Sequence, residues 1–207
     1  PDMSQSTASP KASHPRWLRL THWLNALAVL VMVTSGWRIY NASPLYDFSF
    51  PPSITLGGWL GGALQWHFAA MWLLVINGVI YLLVNLISGR LSRRFFPLSP
   101  KGIRHDVLAA LRGKLGHADL RQYNQVQRLA YLFVMLDIAL LVVSGLVLWK
   151  SVQFPLLREL LGGYEAARYV HFIAMALLLG FVAVHLVMVA LVPKTLVAML
   201  FGHKEPL

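Results

Sequence analysis

The sequence predicts an all-α integral membrane protein, folded as a four-helix up-and-down bundle. Three observations carry that expectation. Of the 207 residues, 57% are hydrophobic and only 13% charged, and mean hydropathy is +0.59; this balance is too apolar for a soluble domain. Four apolar stretches, at roughly 20 residues each, are long enough to cross a bilayer as helices. The connections between them alternate between strongly basic and nearly neutral, as topology in a membrane demands.

Taken in order, residues 1–14 form a Ser-rich tail, PDMSQSTASPKAS, with no charged region leading into an apolar run and a cleavage site, so no signal peptide is expected. The domain proper occupies 15–203, with spans at about 17–40, 67–88, 129–149 and 170–191, and 204–207 is a second tail. No internal repeat is evident. The connection after the first span carries Pro51 and Pro52, which should break structure, and Gly57, Gly58, Gly61 and Gly62, which allow close backbone approach. Its Trp59 and Trp66 suit a lipid interface. The middle connection is polar, and DVLAALRGKL reads as a short amphipathic helix on the membrane surface. The connection before the fourth span reads as a short interfacial helix ending at Gly162 and Gly163.

The net charge of +10 does not point to nucleic acid, because most of the 18 basic residues lie on one side of the predicted spans. Lys11, Arg16 and Arg19 precede the first span, nine Lys and Arg fill the middle connection, and Lys194 and Lys204 follow the fourth. Arg38, Lys150, Arg158 and Arg168 are alone on the other side. Basic loops stay in the cytoplasm, so both termini are expected there, in a multi-pass protein of the bacterial inner membrane facing anionic lipid. The absence of cysteine excludes disulfides, thiolate zinc sites, iron–sulfur clusters and c-type haem attachment.

Four of the eight histidines fall inside spans, where polar side chains are costly and need partners. With alternating span directions, His67 and His171 lie at the outer level, and His22 and His185 at the inner. The fourteen residues from His171 to His185 amount to roughly 21 Å of helix and come within roughly 40° of whole turns, so both rings leave one face. A histidine pair between facing helices is how a bundle grips a b-type haem. Two haems are therefore expected, ligated by His67 with His171 and by His22 with His185. The small residues Ser35, Gly36, Gly78, Ser144, Gly145 and Gly180 could make room for a flat porphyrin, Gly180 between the two ligands of the fourth span. Arg16 and Arg19 inside, and Arg38 and Arg168 outside, are candidates for the anionic propionates. His14, His105, His117 and His203 lie in tails or loops and are read as solvated. Zinc is a poor competitor, since the two pairs lie too far apart for one four-ligand site. Asp137, within the third span, is read as a polar partner for a neighbouring helix, with a proton relay as the functional alternative.

Several stretches resemble one family. RWLRLTHWLNALAVLVMVTSGWRIY, the WHF from Trp66 to Phe68, the YNQVQR from Tyr123 to Arg128 and the H-x13-H of the fourth span are similar to bacterial di-haem cytochromes b. This is the prokaryotic cytochrome b561 family, which includes the b-type cytochrome subunits of nickel–iron hydrogenases and the related gamma subunits of formate dehydrogenases. The resemblance implies electron transfer between a quinone and a periplasmic redox subunit, through two haems paired as above. In the formate dehydrogenase relatives a YN-x-x-Q motif places its asparagine at the quinone site. The match here implies Asn124 and Gln127 as quinone contacts, with Val126 where those relatives have glycine. The NASPLYDFSFPP loop resembles that of cytochromes serving molybdopterin oxidoreductases, so such a partner is favoured. A homodimer stays open. Two other functions remain in competition: a stand-alone superoxide:quinone oxidoreductase, weakly supported by only four outer basic residues, and a non-redox membrane scaffold, which would leave the matched histidine depths to coincidence.

Overall fold

The protein is described from a computed structural model covering residues 15–89, 91, 96–111 and 125–202. Four long helices dominate: α1 (Arg16–Ala42), α2 (Leu60–Ile87), α4 (Gln125–Trp149) and α6 (Tyr164–Leu191). Between and after them come the shorter α3 (Pro100–Leu111), α5 (Pro155–Leu160) and α7 (Pro193–Phe201), with a 3-10 turn at Pro52–Ile54. No strand occurs among the described residues. All four long helices are long and apolar enough to cross a membrane, which gives the expected all-α membrane bundle.

The helices pair as two antiparallel hairpins, α1 with α2 and α4 with α6. In the first, Asn77 Nδ2 donates to the Thr21 carbonyl and to Asn25 Oδ1, each at 2.7 Å. Both amide groups are thereby used inside an apolar bundle, where an unmatched donor would be costly. Packing between the helices runs through small residues: Ala28, Ala63 and Ala167 are fully buried. Outward-facing positions such as Leu30, Ile76, Leu136 and Val184 are exposed, as lipid-facing residues should be.

α2 begins seven residues before the expected span, because its first turn is built on glycines that depress hydropathy without preventing helix. Gly57 has φ +106°, and a Cβ there would collide with the backbone N and Cα of Ala63. The chain thus folds back onto the start of α2 where only glycine fits. Trp59, itself exposed, lies across Gly61. The preceding connection is pinned to α1 by Asn41, which exchanges two 2.8 Å hydrogen bonds with the Phe50 backbone. Phe50 stacks on Trp37 at 4.7 Å. Tyr40, Tyr46 and Phe48 gather around Phe172 of α6, with Tyr40 5.1 Å from it. This aromatic cap joins the two hairpins at the end remote from the chain termini.

At the opposite end, α3 docks on the start of α4. Asp106 Oδ2 accepts the Gln125 backbone N–H at 2.7 Å, a carboxylate satisfying an orphan donor where the helix dipole favours it. The expected amphipathic helix is therefore present, displaced toward the N-terminus; its expected end, from Arg112 onward, lies outside the described residues. α5 ends as expected, with Gly162 and Gly163 at φ +83° and +99°.

The two hairpins also carry a repeat that is not evident from the linear sequence. α1 has Ser35-Gly36 and α4 has Ser144-Gly145; α2 has His67-Phe68-Ala69-Ala70-Met71 and α6 has His171-Phe172-Ile173-Ala174-Met175. The buried residues repeat too. Ala63, Ala70 and Leu74 stand at the same offsets from His67 as Ala167, Ala174 and Leu178 do from His171.

Candidate metal centres

The helix hairpins bring the four histidines of the spans to two levels. At the level near the aromatic cap, His67 of α2 turns its Nδ1 onto α1, 3.1 Å from the Met32 carbonyl and 3.1 Å from Ser35 Oγ. The serine's own proton is already committed, donated to the Val31 carbonyl at 2.6 Å. Oγ is thus an acceptor toward the ring, as the carbonyl must be. Nδ1 therefore carries the proton, and the lone pair sits on Nε2. His171 repeats the arrangement on α4: Nδ1 lies 2.9 Å from Ser144 Oγ, Ser144 donates to the Leu140 carbonyl at 2.7 Å, and the Leu141 backbone is the second partner. Both serines are fully buried.

The glycines that follow explain how the rings fit. A Cβ on Gly36 would lie 3.4 Å from Cε1 of His67, and one on Gly145 would lie 3.3 Å from Cε1 of His171. Both glycines are expected from the sequence to make room for a porphyrin; the structure shows them making room for the imidazoles. Gly78 remains suited to the former task. It lies eleven residues from His67, on about the same helix face, and a Cβ added there would meet nothing within 4 Å. Gly180 is not suited to it: nine residues from His171 is about half a turn round α6, and the position is exposed.

At the other level His22 of α1 faces His185 of α6, with ring centroids 6.0 Å apart and planes inclined at 61°. Phe181 stacks on His185 at 6.1 Å. A metal–imidazole bond of about 2 Å puts a ring centre about 3 Å from the metal, so two rings flanking one ion have centroids roughly 6 Å apart. The observed spacing matches a pair sharing one metal. No group of three or more His, Asp or Glu suited to a metal occurs among the described residues.

A family model described as prokaryotic cytochrome b561 matches residues 13–202. The chain belongs to that family. A curated relative from Azospira oryzae, the putative protein-methionine-sulfoxide reductase subunit YedZ1, is 67% identical over 192 residues, spanning 93% of this chain and 97% of its own. As a cytochrome b561, the protein is a prokaryotic integral membrane haem protein of electron transfer. Its residues fit that cofactor: the His67 and His171 imidazoles fixed with the lone pair on Nε2, the His22–His185 rings 6.0 Å apart, and open space beside Gly78 on the histidine face.

The remaining expected site residues of this cytochrome are divided. Arg168 donates to Glu165 at 2.8 Å and also to Ser43 through its carbonyl and hydroxyl, tying α6 to the end of α1. Arg19 donates to the Leu200 carbonyl at 2.9 Å and caps the C-terminus of α7. Arg38 lines a cleft of about 150 Å³ with Asn41, Ala42 and Leu60, and Arg16 is exposed. Gln127 is half-buried on the first turn of α4, while Asn124 lies outside the described residues. Asp137 is 5% exposed, with Oδ2 buried and unpartnered; no neighbouring helix supplies that oxygen with the partner expected of it. In sequence Ser35 and Ser144 read only as small residues, and their support of the histidines is new from the structure. The repeated Ser-Gly dipeptide preceding a later His-Phe is the signal that could have found it.

Proposed function

We propose that this cytochrome b561 carries electrons across the bacterial inner membrane between the quinone pool and a periplasmic redox subunit. The observation that supports the proposal is the facing of His22 and His185, with ring centroids 6.0 Å apart, beside the like settings of His67 against Ser35 and His171 against Ser144, all on helices long enough to span. His185 and His171 share α6 and lie roughly 21 Å apart along it, so one helix serves both levels. The basic middle connection supports an orientation with the termini and the His22–His185 level on the cytoplasmic side.

Haem b, held by each pair, would supply one-electron redox chemistry. The chain's own share is to hold and orient the rings, exclude water and receive the partners. His67 and His171 would ligate the outer haem through Nε2, and His22 and His185 the inner one. Arg38, at the outer end of α1, is the best placed of the four arginines for a propionate, since Arg168 and Arg19 already hold helix ends together. Gln127, with Asn124, would receive the quinone headgroup at the inner end of α4, where α3 fixes the helix start through Asp106.

The relative's name supports a more specific partner: an oxidoreductase that reduces methionine sulfoxide in proteins, of the molybdopterin type expected from the NASPLYDFSFPP loop. The Gly-rich connection between α1 and α2 and the LLRELLGG segment around α5 would be its docking surface. Reduction of the sulfoxide consumes two electrons and two protons, so electrons would flow outward from quinol.

The test is a native purification with haem quantified. Two haems per chain, sharp b-type bands on reduction by quinol, and a co-purifying methionine-sulfoxide reductase are expected. A preparation without b-type bands, or His171→Ala retaining both haems, would overturn the ligation; an unreduced protein in the presence of quinol would overturn the quinone link.

A further inference from the structure

We propose that Ser35-Gly36 and Ser144-Gly145 are twin positioning elements, each fixing the Nδ1–H of one outer histidine and together setting the redox potential at that level. The inference rests on the haem reading above and adds what α1 and α4 contribute to it, although neither helix bears an outer ligand.

A buried serine bonded to the carbonyl four residues back is common in membrane helices and needs no further role. Here the motif occurs twice with the same additional parts. Each serine donates to the carbonyl four residues back, at 2.6 Å for Ser35 and 2.7 Å for Ser144. Each places Oγ within hydrogen-bond reach of an imidazole Nδ1, at 3.1 and 2.9 Å. Each is followed by a glycine whose missing Cβ lets the ring approach, with Cε1 at 3.4 and 3.3 Å from the Cβ position. The carbonyl three residues before each serine, Met32 or Leu141, is the ring's backbone partner. The ring partners lie 32 and 27 residues away in the chain, so a local helical preference does not produce the match.

The chemical consequence follows from where the proton is held. An imidazole whose Nδ1–H is shared between two oxygen acceptors places more electron density on Nε2 and becomes a stronger donor to a metal. A stronger donor favours the oxidised state and lowers the potential. Removing Oγ leaves the backbone carbonyl in place, so ring orientation and tautomer survive while donor strength falls. The effect is confined to one level. At the same offsets, Tyr131 occupies the place of His22, and Tyr81 the place of His185, so the repeat does not extend its histidines to the inner level.

The experiment is a potentiometric titration of the purified haem-loaded protein, followed at the two b-type components, with low-spin ferric EPR as a second readout. Ser35→Ala and Ser144→Ala should each raise the midpoint of the same one component and shift its EPR signal. The double variant should shift it by about the sum, and Ser→Thr at either site should restore the native value. Ser→Cys, a weaker acceptor of similar size, should give a smaller rise and serves if an alanine variant fails to load. Loaded Ser→Ala or Ser→Cys protein with both midpoints unmoved, or with both moved equally, would overturn the proposal. Failure of the haem reading is distinct, since it would appear in the unmodified protein as missing bis-imidazole spectra.

Discussion

His22 and His185 face one another with ring centroids 6.0 Å apart, although 163 positions separate them in the chain and their helices belong to different hairpins. A haem held between them would have one ring on either side. His22→Ala or His185→Ala should therefore remove one haem and leave the other, halving the haem-to-protein ratio measured by pyridine haemochrome. Loss of both from either variant would mean that the levels are not independent.

That His22 and His185 share a level is legible in the sequence, because hydropathy marks the spans and alternating span directions bring the start of the first beside the end of the fourth. The bundle and its four spans follow from the same signals. The supports of His67 and His171 are not legible residue by residue; only the repeated Ser-Gly dipeptide hints at them. A serine and a glycine in an apolar helix look the same whether they pack helices or hold a ring, and only the fold brings Ser35 beside His67. The extra two turns of α2 are hidden by glycines, which lower hydropathy in a segment that the Trp59–Ala63 and later helical bonds nevertheless wind. Gly180 misleads because lying between two ligands in sequence says nothing of azimuth around the helix.

Asn77 joins α1 and α2 through two 2.7 Å hydrogen bonds. Asn77→Leu keeps the volume and removes both, leaving Asn25 Oδ1 without that donor. A loss of about 1–2 kcal/mol is expected, read as a lower unfolding temperature in detergent with haem content unchanged at room temperature. An unchanged transition would show that the pair adds nothing beyond packing.

Asp137 occupies α4 seven residues before Ser144, the place taken on α1 by Ala28. Its buried Oδ2 has no partner, and an unmet polar atom costs about 1–3 kcal/mol. Asp137→Leu should raise thermal stability by about that amount with quinol-driven haem reduction intact. Stabilisation accompanied by slowed reduction would identify the carboxyl as a proton carrier that the fold retains despite its burial.

Arg19 holds the last turn of α7 through the Leu200 carbonyl, and its guanidinium lies within 2.9 Å of where a Cβ on Gly202 would be. Trp23 reaches the neighbouring Met199 carbonyl at 3.4 Å. Arg19→Gln loses the charge at the helix C-terminus as well as the bond, a change of about 1 kcal/mol. Hydrogen exchange at residues 193–201 should speed several-fold while exchange in α1 stays as it was. Equal protection in both proteins would assign α7's docking to its apolar face alone.

Gly57 and Gly58 offer a paired test of the turn that launches α2. Both have positive φ, +106° and +69°, so alanine is strained at either. They differ in what a Cβ would meet: backbone atoms of Ala63 in hard collision for Gly57, and nothing within 4 Å for Gly58. Gly58→Ala should therefore cost only the left-handed backbone penalty, about 1–2 kcal/mol. Gly57→Ala adds a collision with backbone that cannot turn aside, so the turn must open and carry the start of α2 with it. His67 lies four residues beyond Ala63 on that helix, and its Nδ1 contacts require the present register against Met32 and Ser35. Gly57→Ala should thus lower the unfolding temperature more than Gly58→Ala and disturb the outer haem's spectrum while sparing the inner one. Equal effects from the two variants would show that the turn yields without moving α2.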